Sequence, residues 1–390
     1  MTTSVRPLRL RMDPPLRASA GTLVVRGTPR LREAVRIRLH DDRGHVGLGE
    51  ALPLPGYSRD DAATAERVLA AIATQFADGG LEVPDATPGA LVSAAVTGDA
   101  AARLDAALAP CAESLAASPA ARFALECALV DVLARQQGLG AARWLADGRD
   151  LQPVPVSLLL PDDDLAALAA AGAGVARGHT VLKLKIARAD RTPAAEDALL
   201  AALRRAADTA GASAGRRVLF RLDANGALDP AHAVERLVAL ARHGVELVEE
   251  PVAGVALLTL PPLPLPWAAD ESLVDAALAA ALLALPPARR PAALVLKPAQ
   301  LGITNCLRLA AAAAARGVGV IVTHSLDGDL GHAAACALAA ALPQPPWPCG
   351  LAPHAGLRMR LPALPWLPVP TAPGLGVADI DDAAWPGRPC

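Results

Sequence analysis

The hydrophobic pattern of this chain changes period near residue 153. Upstream, "GTLVVRG" and "AVRIRLHDDRGHVGLGEA" alternate apolar and polar residues, which predicts strands with "DDRG" as the turn between two of them. "RDDAATAERVLAAIATQFA" follows with helical spacing, and Ser58 is its candidate N-cap. "SPAARFALECALVDVLARQQG" predicts a second helix, with Ser118 as cap, Pro119 in the first turn and Gly138 at the end. Strands followed by helices predict an α+β module. Downstream, short apolar runs alternate with Ala-rich helical segments: "VPVSLLL", "TVLKLKI", "RVLFRLDANG", "GVELVEEP", "PWAADES", "AALVLKPA", "GVGVIVTHS" and, weakly, "CGLAPHAG". That rhythm predicts parallel β/α units, and seven or eight in succession favour a closed barrel over an open sheet. The Pro-rich residues 356–390 predict a tail that packs back on the first module.

Side chains alternate across a strand, so parity assigns charges to faces. In "VLKLKI", Leu182, Leu184 and Ile186 share the face suited to the surrounding helices, and Lys183 and Lys185 share the lumen. Arg221, Asp223 and Asn225 share a face of the third barrel strand. Glu249 takes the lumen side of the fourth, opposite Glu250. The fifth ends in Asp270 and Glu271, and the sixth brings in Lys297 behind Val295. Chemistry in such barrels sits at the C-terminal strand ends, where these charges lie. Asp223, Glu249 and Asp270 come from adjacent strands, and three oxygen ligands without His or Cys suit Mg²⁺, with Mn²⁺ as the alternative. The lysines flank that point from opposite sides, and a buried lysine beside another cation has its pKa lowered towards that of a useful base.

Composition narrows the class. Hydrophobic residues make up 53% of 390 and aromatics 2%, so the core is built from Ala, Leu and Val. With 37 basic and 39 acidic residues dispersed along the chain, nothing points to nucleic acid or an anionic membrane. Six cysteines without a CxxC pair read as reduced thiols, none with a patterned catalytic neighbour. No signal-peptide pattern or apolar span stands out, so the expectation is a cytoplasmic enzyme acting on a small carboxylate, with no nucleic-acid or membrane partner.

The ordered series KxK, DAN, EEP, DES and KP resembles the enolase superfamily in its muconate-lactonizing subgroup. "VGLGEALPLPGYS", "RLDANGALD", "VEEPV", "LVLKPAQLG" and "PTAPGLGV" are similar to the o-succinylbenzoate synthases within it, with the likeness running over about residues 22 to 377. The resemblance implies an α/β fold, a modified (β/α)7β TIM-type barrel with an N-terminal α+β capping domain. The divisions expected are 1–118 for the cap, 119–355 for the barrel and 356–390 for the tail. It implies Mg²⁺ on Asp223, Glu249 and Asp270, Lys185 as the base that removes an α-proton, and Lys183 as its tuning neighbour. Lys297 would hold a cation against the enediolate or act as a second base. Arg221, Asn225, Glu50 and Ser325 are the candidate substrate contacts.

The implied reaction is dehydration of 2-succinyl-6-hydroxy-2,4-cyclohexadiene-1-carboxylate in menaquinone biosynthesis. N-succinylamino acid racemisation, muconate cycloisomerisation and a non-catalytic barrel are the other readings. "CGLAPHAG" lacks the Asp-x-Asp pair of dipeptide epimerases. Each motif alone has a plainer meaning: KxK a solvated strand face, DAN a turn, DES a helix cap. Glu250 reads as a structural partner, with either glutamate able to exchange roles with its neighbour across a bulge. His324, His332 and His354 read as structural or rim residues.

Overall fold

A computed structural model describes residues 8–25, 28–77, 80–83, 100–212, 215–343, 346–357, 364–369 and 371–377. Five N-terminal strands, β1 (Leu8–Met12), β2 (Leu16–Val25), β3 (Thr28–His40), β4 (Val46–Ala51) and β5 (Leu81–Val83), form one antiparallel sheet. The order is β2-β3-β1-β5, with β4 also on β3. The turn after β3 is set by Asp41, whose carboxylate accepts from the N–H groups of Arg43 and His45. From residue 32 onward the polar side of β3 is not solvated: Arg32, Arg36 and Arg38 are all buried.

The first helix runs Ala62–Gln75, and its cap is Asp61 rather than the expected Ser58. Asp61 directly precedes the first helical residue, so its carboxylate reaches the Thr64 N–H. Ser58 is engaged elsewhere, its Oγ accepting from Leu54 N–H and from Gln300 Nε2. The second expected helix spans Pro119–Gln136, with Ser118 accepting from Ala121 N–H and Gly138 at positive φ beyond its end. It is buried nearly all round, as a helix between two layers must be. Strand β4 lies on one side of it and the helices Pro298–Leu301, Ile303–Ala314 and Asp329–Ala341 on the other. Contact with β4 is so close that a Cβ at Gly49 would stand 1.9 Å from the Ala124 carbonyl oxygen. Among the described residues no helix is long and apolar enough to cross a membrane.

After β6 (Val154–Pro155), the barrel strands follow as β7 (Leu158–Leu159), β8 (Val181–Lys185), β9 (Leu219–Asp223), β10 (Val245–Glu249), β11 (Trp267–Ala269), β12 (Ala293–Leu296) and β13 (Gly319–Val322). From β7 to β13 they pair in parallel and in sequence order. Residues 347–350 close the ring. Trp347 and Gly350 N–H groups donate to Val320 and Val322 carbonyls on one side, and Ser157 N–H donates to the Cys349 carbonyl on the other. "CGLAPHAG" therefore supplies a short closing strand. "VPVSLLL" divides between β6 and β7, and β6 pairs antiparallel with β14 (Trp366–Leu367) of the tail. Further along that tail, Leu375 N–H donates to Asp131 of the long helix. Residues 378–390 lie outside the described residues.

Two apolar layers hold the barrel. The larger lies between strands and helices, with Leu182, Leu184 and Ile186 in it as parity requires. A separate small cluster of Leu247, Ala268, Ala293, Val295 and Ile321 fills the lumen. Leu247, Ala268 and Val295 lie two residues before Glu249, Asp270 and Lys297, so the same strand faces are apolar at the floor and charged at the mouth.

Candidate metal centre and active site

Asp223, Glu249 and Asp270 end three neighbouring strands, and each offers an oxygen within 4.8 Å of the other two. All three are at least 97% buried. Carboxylates this close cannot remain ionised in a dry site without cations. Lys183 Nζ lies 2.9 Å from Asp223 Oδ2 and 2.5 Å from Glu249 Oε2, and Lys297 Nζ lies 2.6 Å from Asp270 Oδ2. Burial works against the Lys183 ammonium, yet Asp223 and Glu249 outweigh it and its pKa is raised. Lys297 behaves alike through Asp270. Asp223 is desolvated but held low by Lys183 and Lys297, whereas burial pushes Asp270 up. The expectation of a lowered lysine pKa therefore does not hold for Lys183, because its carboxylate neighbours outweigh burial and the nearby Lys297 charge.

The donor set fits a hard divalent ion. It is all oxygen, and Asp270 Oδ1 is buried with no hydrogen-bond partner, the state of a ligand atom aimed at a shared point. Glu250 faces away, as parity requires, in a left-handed conformation at φ +36°. Its carboxylate accepts from Asp270 N–H at 2.8 Å, Ser272 N–H at 3.1 Å and the Ser272 hydroxyl. Glu250 thereby fixes the backbone that carries Asp270. Burial raises its pKa to about 7.

Above the carboxylates lies a cavity of about 500 Å³ lined by Lys183, Lys185, Asp223, Asn225, Lys297 and Ser325, with Leu54, Leu158–Leu160, Leu326 and Pro353 as an apolar wall. Strands β8 and β12 are four places apart in a ring closed by an eighth segment, so Lys185 and Lys297 face each other across it. Ser325 Oγ is buried without a partner, a hydroxyl available to a bound molecule. Asn225 Nδ2 donates to Glu271 Oε1.

Two expected contacts lie elsewhere. Arg221 is fully buried in the lumen floor, donating to Glu246 Oε2 and the Pro348 carbonyl. A register shift between Val245 and Leu247 accompanies that pair. Glu50 is buried on β4 of the cap, paired with Arg36 of β3 at 2.9 Å. Neither lines the cavity. His324 and His354 do, but as braces. His324 accepts from Leu326 N–H and bonds the Ala352 carbonyl, and His354 does the same between Gly356 N–H and the Asp327 carbonyl. Both are neutral rings, since burial and their histidine neighbours depress them to about 3 and about 4.

Sequence reasoning missed Tyr57. It comes from the loop before the first helix, lines the cavity and accepts a hydrogen bond from Lys297 Nζ. "PLPGYS" carries no periodic signal pointing at residue 297, and only its place after "VGLGEA" marks it as a candidate loop.

Comparison with known proteins accords with this geometry. A sequence profile of the family described as enolase C-terminal domain-like matches residues 165–384. The o-succinylbenzoate synthase of Desulfotalea psychrophila is 34% identical over 241 residues, spanning 60% of this chain and 62% of that protein. The aligned stretch is thus under two thirds of that relative. The crystal structure of MenC from the same organism superposes with a TM-score of 0.70 at 28% identity, over 93% of this chain and 100% of that one. Muconate lactonizing enzyme from Pseudomonas putida gives 0.72 at 23% identity, over 95% and 96%, and shows a shared fold.

Proposed function

We propose an activity from one premise: this chain belongs to the enolase C-terminal domain-like family. The activity is that of an o-succinylbenzoate synthase, a hydro-lyase converting 2-succinyl-6-hydroxy-2,4-cyclohexadiene-1-carboxylate to 2-succinylbenzoate for menaquinone biosynthesis. The observation that carries it is the pair of lysines, Lys185 and Lys297, facing each other over three clustered carboxylates. The similarity to a curated synthase supports the particular substrate.

Asp223, Glu249 and Asp270 would hold Mg²⁺, which when bound draws negative charge from a substrate carboxylate. Lys185 Nζ takes the proton from C1, leaving an enediolate. The electron pair then forms the C1–C6 double bond as the C6–O bond breaks, and the proton on Lys185 leaves with the hydroxide as water. Lys297, kept cationic by Asp270, faces the developing negative charge from the opposite side. Lys183 neutralises Asp223 and Glu249 and limits the repulsion among the carboxylates. Asn225 and the free Ser325 hydroxyl offer polar contacts, and the leucine-rich wall excludes water.

The test is the ultraviolet absorbance of the diene substrate. It is expected to decay on addition of protein with Mg²⁺ and to stop on chelation. Because both lysines line the cavity, racemisation of N-succinylamino acids is the second reading. Exchange and racemisation in deuterated water without diene turnover would replace the first reading with it.

A further inference from the structure

The catalytic reading leaves Tyr57 and Glu271 without a task, although both touch Lys297. Lysine is a flexible four-carbon stem carrying a point charge, and Lys297 has one ligand-side partner, Asp270 Oδ2. Its second hydrogen bond goes to the Tyr57 hydroxyl, from a segment 240 residues earlier in the chain. The ammonium also stands 5.0 Å from the centre of the Tyr57 ring. Tyr57 in turn donates to Glu271 Oε1 at 3.3 Å, and that oxygen also accepts from Asn225 Nδ2 at 3.1 Å. It lies 3.6 Å from Lys297 Nζ itself. Glu271 is thus the point where the cap loop and the ends of β9, β11 and β12 meet.

The loop has a second tie to the same segment. Gln300, three residues beyond Lys297 on a short helix that Lys297 caps, donates to Ser58 Oγ at 3.0 Å. Ser58 also accepts from Leu54 N–H at 2.9 Å, which fixes the turn that presents Tyr57. Loop position and lysine position are therefore set together.

We propose that Tyr57 and Glu271 form a positioning relay that holds Lys297 over the site. The relay deepens the reading above and rests on it for the activity arm of its test. Tyr57 does not transfer a proton in it. Its hydroxyl accepts from the lysine and donates to the carboxylate, so the ammonium is aimed from a second direction that Asp270 alone does not supply. Reacting groups misplaced by about 1 Å lose roughly 100-fold in rate, so a loosened Lys297 is expected to lower kcat and leave KM little changed.

The chain has a single tyrosine, so protein grown on tyrosine labelled with ¹³C at the phenolic carbon gives one Tyr57 resonance. Glu271→Gln and Lys297→Met are each expected to shift that resonance in the ligand-free protein. Tyr57→Phe and Glu271→Gln are each expected to lower kcat by roughly 10- to 100-fold, and the double variant no further than the worse single one. Losses that multiply in the double variant, a Tyr57→Phe enzyme with wild-type kcat, or a resonance indifferent to Glu271→Gln would each overturn the relay. Should the wild type fail to dehydrate the diene, the proposed function falls, while the resonance, read without substrate, still decides the relay.

Discussion

Among the described residues, two of the clusters of buried charge are arranged for opposite ends. At the barrel mouth, Lys183 and Lys297 meet Asp223, Glu249 and Asp270 beside an open cavity, and Asp270 Oδ1 is left without a partner. At the seam between cap and barrel, Arg32, Arg36, Glu50 and Asp327 are equally buried. There Arg32 donates to the carbonyls of Leu326 and Leu52, Arg36 donates to Glu50, and His354 bonds the Asp327 carbonyl. Arg32 Nε and Glu50 Oε1 are also without a partner, but neither residue lines the cavity. Burial of charge is thus no sign of chemistry by itself. What separates the clusters is whether their polar groups border a space another molecule can enter.

The sharpest way to break that contrast is to remove the proposed base. Lys185→Ala is expected to lower turnover by roughly 10³- to 10⁴-fold with the fold intact by circular dichroism. Wild-type rates in that variant would move the chemistry elsewhere. Next, Asp223→Asn or Glu249→Gln should weaken Mg²⁺ binding in titration calorimetry by more than about 100-fold, since even outer partners of a ligand are worth 10- to 100-fold. At the seam the currency is stability. Arg32→Ala leaves two carbonyls without their donor, and a loss of about 2–3 kcal/mol in urea unfolding is expected with little change in Mg²⁺ affinity.

The smallest effect concerns pH. The folded-state pKa values of His324 and His354 are about 3 and about 4, below the ordinary histidine value. The stability they contribute is complete above roughly pH 6.5 and is lost as pH falls through the folded values. Asp327, raised by burial to about 6, acts in the opposite sense and gains as pH falls through that value. The share of the two histidines is a decline on acidification between pH 6.5 and 4, set against the opposite shares of Asp327 and of Glu250, which burial raises to about 7. His354→Gln should flatten that decline, and an unchanged slope would reassign it.

Much of the site was legible because its information is local. Strand parity placed Lys183, Asp223, Glu249, Asp270 and Lys297 in the lumen and turned Glu250 away, since alternation is built into extended backbone. The same rule placed Arg221 in the lumen, yet it does not say at what height. Arg221 lies one layer below Asp223 and pairs with Glu246 on the floor. Ser58 carried a capping signal that Asp61, nearer the helix, displaced. The closing strand at residues 347–350 was faint because its pairing partners, Val320, Val322 and Pro155, lie far away in sequence.

The order of strands, the faces of their side chains and the oxygen character of the three carboxylates are properties of the chain by itself, because each depends on residues a few positions apart. Docking decided the rest. Tyr57 meets Lys297 and Ser58 meets Gln300 only once the cap has settled on the barrel, and Glu126 caps the helix at Ile303 only once the long helix has packed against it. Such contacts join residues whose sequence separation carries no periodic signal, so only the packing of two hydrophobic layers brings them within hydrogen-bond range.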